Sequence, residues 1–217
     1  LGGDVPTSRH YPLFLDISGQ RCLVVGGGRV GERKVAALIE AGALVEVVSP
    51  KITDALSEWA ESGTVDWHGR PFETEDVTGA LLVFGATDDT DVNGAVASAA
   101  KQAGVLYNDA IERDRCDFIV PSTVRRGGLT LAASTGGGSP AYARLVRERL
   151  EETFGEEHGE VVALFEQLRP RVMALFPDDP SGRRAVWDQL VSWEMVEWVR
   201  DGNDRAIEER VTQCLSS

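Results

Sequence analysis

The sequence is poor in cysteine, in positive charge and in long apolar runs. Only Cys22, Cys116 and Cys214 occur, odd in number, widely spaced and without a C-x-x-C pair. That excludes a disulfide framework and a zinc knuckle, and the expected setting is a reducing cytoplasm. Lys and Arg number 22 against 35 Asp and Glu, a net charge of −13. So acidic a chain lacks the basic face of a nucleic-acid binder. No stretch approaches the ~18 uncharged apolar residues that a membrane span needs. The opening LGGDVPTSRH has no signal-peptide core, and residues 1–10 are expected to be a flexible tail. Repeats and low-complexity tracts are absent. What remains is ordinary folded-protein composition: 217 residues, 42% of them hydrophobic. That is one large domain, or one domain with a smaller partner.

Strands and helices alternate over the first half. RCLVV (21–25) is a short apolar run between a turn at Ser18-Gly19 and three glycines, so it reads as a buried strand. A helix over 29–41 follows, ended by Gly42. Strands are expected at 43–49, 65–69, 80–87 and 105–110, with helices at 52–62 and 90–103. Short connections between them predict a parallel sheet with helices on both faces. After about residue 112 the pattern changes. Residues 117–124 and 129–135 read as an antiparallel hairpin turning at Gly127-Gly128. From Pro140 onward the chain reads as helical, with breaks near Gly155, Pro177–Pro180 and Gly202. Trp187, Leu190, Val191, Met195, Trp193 and Trp198 read as helix packing rather than as stacking platforms for a ligand.

Two glycine clusters carry the chemistry. The first, Gly26-Gly27-Gly28-Arg29-Val30-Gly31, is a G-x-G-x-x-G motif between a strand and a helix, the context the motif requires. Gly26 permits the turn, Gly28 lets a pyrophosphate approach, and Gly31 lets the helix pack close. The helix start offers free N–H groups to phosphates. A dinucleotide site usually has an acid at the end of the next strand, for the ribose hydroxyls. Here Ser49-Pro50-Lys51 stands there. Ser49 offers a weaker hydrogen bond, and Lys51 leaves room for a 2′-phosphate, so NAD and NADP stay open. Thr87, beyond the strand at 80–84, either touches the cofactor or caps the next helix; Asp88 and Asp89 read as caps. The second cluster, Ser134-Thr135-Gly136-Gly137-Gly138-Ser139-Pro140, opens another helix with Ser139 as cap and Pro140 in the first turn. Its glycines are expected to leave backbone N–H groups bare. With Arg144 and Arg147 following, it reads as an anion-receiving corner, against the plainer reading of a flexible linker.

VVGGGRVGERK (24–34), VFGATDDTDVN (83–93) and DFIVPSTVRRGGLTLAASTGGGSPAYARLVRERLE (117–151) together resemble the precorrin-2 dehydrogenase family, the NAD-dependent module of siroheme synthases. The resemblance runs from about Tyr11 to Arg171. It implies an α/β fold: an NAD-binding Rossmann domain (1–114), a small β dimerisation element (115–150) and a helical C-terminal domain (151–217). It also implies a homodimer that oxidises precorrin-2 to sirohydrochlorin with NAD in siroheme biosynthesis. Cofactor contacts would fall on Gly26, Gly28, Arg29, Val30 and Gly31, and on Pro50 and Lys51. Some family members also insert ferrous iron, a lyase activity. The three histidines, His10, His68 and His158, show no ligand spacing, and no metal site is expected.

The substrate of that family is a polycarboxylate, which a chain of net charge −13 repels at long range. Local cations must receive it. Arg113, Arg115, Arg125, Arg126, Arg144 and Arg147 are the candidates, with Thr135, Gly136, Gly137 and Ser139 in the second cluster. Thr135 stands where some members carry a phosphorylated serine. The family's acid/base aspartate falls on Ile111 here. Asp109 and Glu112 are the nearby acids, and Asp109 is the expected acid/base, equally readable as a turn cap. The alternatives are an NAD-binding sensor module without catalysis, which would not need the hairpin or the second cluster, and a dehydrogenase of a small acid, which would show a His or Lys acid/base in the second domain.

Overall fold

The computed structural model describes residues 10–216, so the expected tail at 1–10 lies, except for His10, outside the described residues. Two compact units result, one ending at Val120 and one beginning at Pro121. No helix among the described residues is long and apolar enough to cross a membrane.

The first unit is a parallel sheet. Its strands are β1 (Arg21–Val25), β2 (Leu44–Val48), β3 (Val65–His68), β4 (Leu82–Gly85) and β5 (Leu106–Asp109), in the order β3-β2-β1-β4-β5. Alternation along β1 builds two cores. Cys22 and Val24 pack with Val35 and Leu38 of α1 (Arg29–Glu40) and Leu56 of α2 (Asp54–Glu61). Leu23 and Val25 pack with Val96, Ala99 and Ala100 of α3 (Thr90–Ala103). Each such buried Leu or Val contributes about 1.5–3 kcal/mol against exposure. Helices therefore cover both faces, as the alternating pattern implied. The chain winds outward from β1 to β3 and returns to β4 beside β1. The crevice where ligands bind in such sheets thus lies at the carboxyl ends of β1 and β4.

The second unit holds a hairpin, β6 (Ser122–Arg126) and β7 (Leu129–Ala133), with Val124 opposite Leu131. Its turn uses Gly127 at φ +51°. The first hairpin strand is shorter than expected. Pro121 has no N–H for a ladder, and Asp117 instead accepts from Tyr107 N at 3.0 Å. Five helices follow: α4 (Pro140–Thr153), α5 (Glu157–Leu175), α6 (Pro180–Leu190), α7 (Trp193–Arg200) and α8 (Asp204–Leu215). Gly159 of α5 sits where a Cβ would lie 2.6 Å from the Arg126 carbonyl, so the helix seats directly on the hairpin turn. Val172, Leu190, Met195 and Cys214 centre the helical core. The break between α6 and α7 was not expected. Ser192 interrupts the face drawn through Val191 and Met195 by capping α7, accepting from Met195 N at 3.3 Å. Trp187 and Trp198 pack on the core, but Trp193 is exposed with its ring edge-on to His158.

Candidate functional site

The first glycine turn joins β1 to α1, and its four glycines have different reasons. Gly26 has φ +118°, and a Cβ there would lie 2.5 Å from the Ala86 carbonyl oxygen. It lets the end of β1 touch the end of β4. A Cβ on Gly27 would lie 2.2 Å from the Lys51 carbonyl oxygen, and Gly27 O accepts from Thr53 N at 3.0 Å. This residue clamps the glycine turn to the β2–α2 connection. A Cβ on Gly31 would lie 2.1 Å from Gly26 O, inside the turn. The protein's own backbone demands these three.

Gly28 is the exception. Its φ of −82° and ψ of −175° suit any residue, and a Cβ there would meet nothing within 4 Å. Nothing in the protein requires a glycine at this point, and the space beside it is open. No side chain caps the start of α1, so its first N–H groups are left for water or a ligand. This is the cradle a pyrophosphate fits: bare backbone, free donors and the positive end of a helix. Beside it opens a cleft of about 820 Å³ lined by Arg29, Glu32, Arg33, Thr53, Asp54 and Ala55. Val30 is exposed on the first turn.

The end of β2 is more occupied than its residue types suggest. Ser49 is buried, and its Oγ donates to Lys51 O at 2.7 Å. Its hydroxyl proton holds the turn, leaving only lone pairs for a ribose hydroxyl. Pro50 and Lys51 are exposed. At the end of β4, Thr87 is gripped by buried Asn93. Thr87 Oγ1 lies 2.8 Å from Asn93 Oδ1, and Asn93 Nδ2 donates to Thr87 O at 3.2 Å. Asp89 caps α3, accepting from Asp91 N at 2.9 Å and Val92 N at 3.2 Å. Asp88 is exposed and takes no part in that cap.

Asp109 ends β5 with a side chain that is 0% exposed. Its Oδ1 accepts from Ile111 N at 2.9 Å and Glu112 N at 3.0 Å. Tyr107 Oη lies 3.0 Å from Oδ2, and Arg115 Nη1 lies 3.6 Å from it. Burial first, and then Asp109 itself, push the Tyr107 phenol well above its ordinary value, so Tyr107 keeps its proton. Of the two roles open to Asp109 in the sequence, this geometry is that of the turn cap. A carboxylate so enclosed has no lone pair facing solvent.

In the second unit, the other glycine cluster is closed on itself, which corrects the expectation of bare N–H groups. Thr135 Oγ1 accepts from Ser139 N at 3.0 Å, Gly138 N donates to Thr135 O at 3.0 Å, and Gly136 N donates to Ser134 Oγ at 3.0 Å. Gly136 and Gly137 have φ +60° and +80°, a turn that no other residue type takes easily. Ser139 does cap α4, accepting from Tyr142 N at 3.2 Å, with Pro140 in the first turn. The expected receiving arginines are largely engaged, a second correction. Arg126 donates to Phe154 O at 2.9 Å and pairs with Glu156, Arg147 pairs with Glu151, and Arg115 holds Asp109. Only weak pairing restrains Arg144, 69% exposed and 3.8 Å from Glu148. His68 lies near Glu46 and Asp66, and His158 is buried between Phe154 and Trp193.

Residues 13–122 match a family model described as NAD(P)-binding. Residues 126–153 match one described as the sirohaem biosynthesis protein central region, and 157–215 one described as the sirohaem synthase dimerisation region. The chain belongs to the siroheme synthase N-terminal module family. It is 38% identical over 207 residues to a siroheme synthase of Nitrosococcus oceani and 38% identical over 206 residues to siroheme synthase 1 of Aeromonas salmonicida. Each alignment covers 95% of this chain but 44% of the relative, so the chain spans less than half of the curated relatives it matches. Among solved structures it is similar to SirC, a precorrin-2 dehydrogenase, with a TM-score of 0.80 at 24% identity, over 96% of this chain and 100% of that one. At that identity the likeness is one of fold: Rossmann-like sheet, small antiparallel sheet, terminal helices.

Sequence reading passed over three residues of this site. Gly27 was hidden inside a motif that names only its first, third and sixth positions. Asn93 is a polar residue on the buried stripe of α3 with Val96 and Ala100, an anomaly that signals a bound loop. Lys34 occupies the inward stripe of α1 between Gly31 and Leu38, and was legible in the same way.

Proposed function

We propose that this chain catalyses the NAD-dependent oxidation of precorrin-2 to sirohydrochlorin, a step of siroheme and other tetrapyrrole synthesis. The observation that carries the reading is Gly28, a glycine with no reason inside the protein, at the start of an uncapped helix and at the switch point of the sheet. The order of the three matched family models supports the tetrapyrrole substrate. In this reading Gly26, Gly28, Arg29, Val30 and Gly31 hold the pyrophosphate. Ser49, Pro50 and Lys51 border the adenosine ribose, and Thr87, fixed by Asn93, borders the nicotinamide side. The dinucleotide, when bound, supplies a hydride acceptor. Asp109 is a positioning residue, fixing residues 111 and 112 at the end of β5. Thr135, Gly136, Gly137, Ser139 and Arg144 form a shaped corner for substrate carboxylates, with Arg144 as the mobile cation.

The three regions 1–114, 115–150 and 151–217 serve cofactor binding, pairing and helical support. The matched dimerisation region supports a homodimer, and the three free thiols suit the cytoplasm. The test is anaerobic: purified protein, precorrin-2 and NAD, followed at the sirohydrochlorin absorption band. The band should rise with NAD and stay flat without it. No NAD-dependent change would overturn the proposal. Repeating the assay with NADP ranks the cofactors, and adding ferrous iron reads out metal insertion.

A further inference from the structure

Lys34 stands apart from the other half-buried cations of the first unit. Arg21 and Arg70 each face a carboxylate. Lys34, half-buried, faces none among the described residues. Its Nζ donates to Asn108 Oδ1 at 3.1 Å and lies 5.3 Å from the centre of the Phe84 ring. Phe84 and Asn108 are register partners on β4 and β5, each one residue from its strand's carboxyl end. Asn108 cannot turn away, because its Nδ2 donates to Phe118 O at 2.9 Å. The amide oxygen is thereby aimed at Lys34. Ala86, two residues beyond Phe84, is the residue against which Gly26 closes. The amine is thus held by the last-but-one residues of β4 and β5, on the side of the sheet's carboxyl end, where ligands of such sheets sit.

A cation in that place is unmatched. A neutral amide and an aromatic face hold an ammonium, but they do not neutralise it. We propose that Lys34 Nζ is the proton acceptor in the oxidation, receiving the hydrogen that leaves the macrocycle as a proton. This rests on the reading under Proposed function. The balance is simple. One C–H bond breaks and its electron pair departs with the hydrogen as hydride to the nicotinamide dinucleotide. A second hydrogen leaves as a proton and bonds to the lone pair of Nζ, giving an ammonium that later releases it to water. The neutral amine that this needs is favoured by burial, which pulls the amine below the ordinary lysine range. Arg33 acts in the same direction, and the Cys116 thiol opposes it. Asp109, the other titratable group at the end of β5, is closed off by its donors.

Two measurements decide it. The chain has only three lysines, and Lys51 and Lys101 are exposed, so they serve as internal standards. An NMR titration of the cofactor-free protein with labelled lysine should show Lys34 losing its proton at lower pH than the other two. Titration together with them overturns the proposal, whatever the activity. In the anaerobic assay, Lys34→Arg keeps the charge but cannot release a proton. Lys34→Arg and Lys34→Met should both lower kcat at least ~100-fold, the usual worth of a general base, and leave NAD affinity unchanged. Full turnover by Lys34→Arg would show that only charge matters and would also overturn it. An inactive wild type would sink the functional reading itself, while the titration would still report on the amine.

Discussion

Gly28→Ala separates a glycine kept for a ligand from glycines kept for the fold. The added methyl meets nothing within 4 Å, at a φ of −82° that alanine accepts. Folding should not suffer. Losing a glycine at a compatible backbone position typically adds about 0.4–1 kcal/mol, which the poorer capping by alanine at the N-cap of α1 offsets by a similar amount, so Tm should move by no more than about 2 °C. Binding should suffer, because the methyl occupies the space a phosphate needs. A lost hydrogen bond to a charged group costs about 1.5–3 kcal/mol, so NAD affinity should fall about ten- to hundred-fold. Gly31→Ala is the opposite control. Its Cβ would lie 2.1 Å from Gly26 O, and overpacking of that kind costs about 1–3 kcal/mol or more. The assay is thermal unfolding paired with calorimetric titration of NAD. If Gly28→Ala binds NAD as tightly as wild type, the space beside Gly28 does not hold the pyrophosphate. If it instead unfolds at markedly lower temperature, the glycine is kept for the fold and not for a ligand.

Asp109→Ala strips the partners from Ile111 N, Glu112 N and Tyr107 Oη at once. It should cost about 3–5 kcal/mol in urea unfolding. A variant that folds like wild type yet loses turnover would restore Asp109 as a group that meets substrate. The acid limb of stability is set partly by two ion pairs. Arg21 holds the Glu46 carboxyl below the ordinary carboxylate range, and Arg70 does the same for Asp76. Both contribute stability above the unfolded pKa, about 4, and lose it as pH falls through the folded value. The urea midpoint should therefore drop between about pH 4.5 and pH 3. Arg21→Met should flatten that drop, and an unchanged slope would contradict the assignment.

The sheet was legible because its strands are apolar runs punctuated by glycine and its helices carry apolar stripes. Period and punctuation survive without tertiary knowledge. Gly26 and Gly31 were legible for the same reason, since each role is a backbone property. The partners of the polar residues were not legible, for a different reason. Asp109, Thr135 and Arg126 are residue types that suggest chemistry, and their partners are backbone groups such as Glu112 N, Ser139 N and Phe154 O. Sequence spacing does not display which N–H or carbonyl a side chain will find. Ser192 shows the same blindness in the helices, where a single capping hydroxyl outweighed a continuous apolar face.

Hydrogen–deuterium exchange with and without saturating NAD most directly tests whether the β1–α1 turn at the switch point is a dinucleotide cradle. Slowed exchange should concentrate in residues 26–31, with lesser protection at 49–53 and 85–88. Uniform exchange, or protection confined to residues beyond 121, would contradict the account.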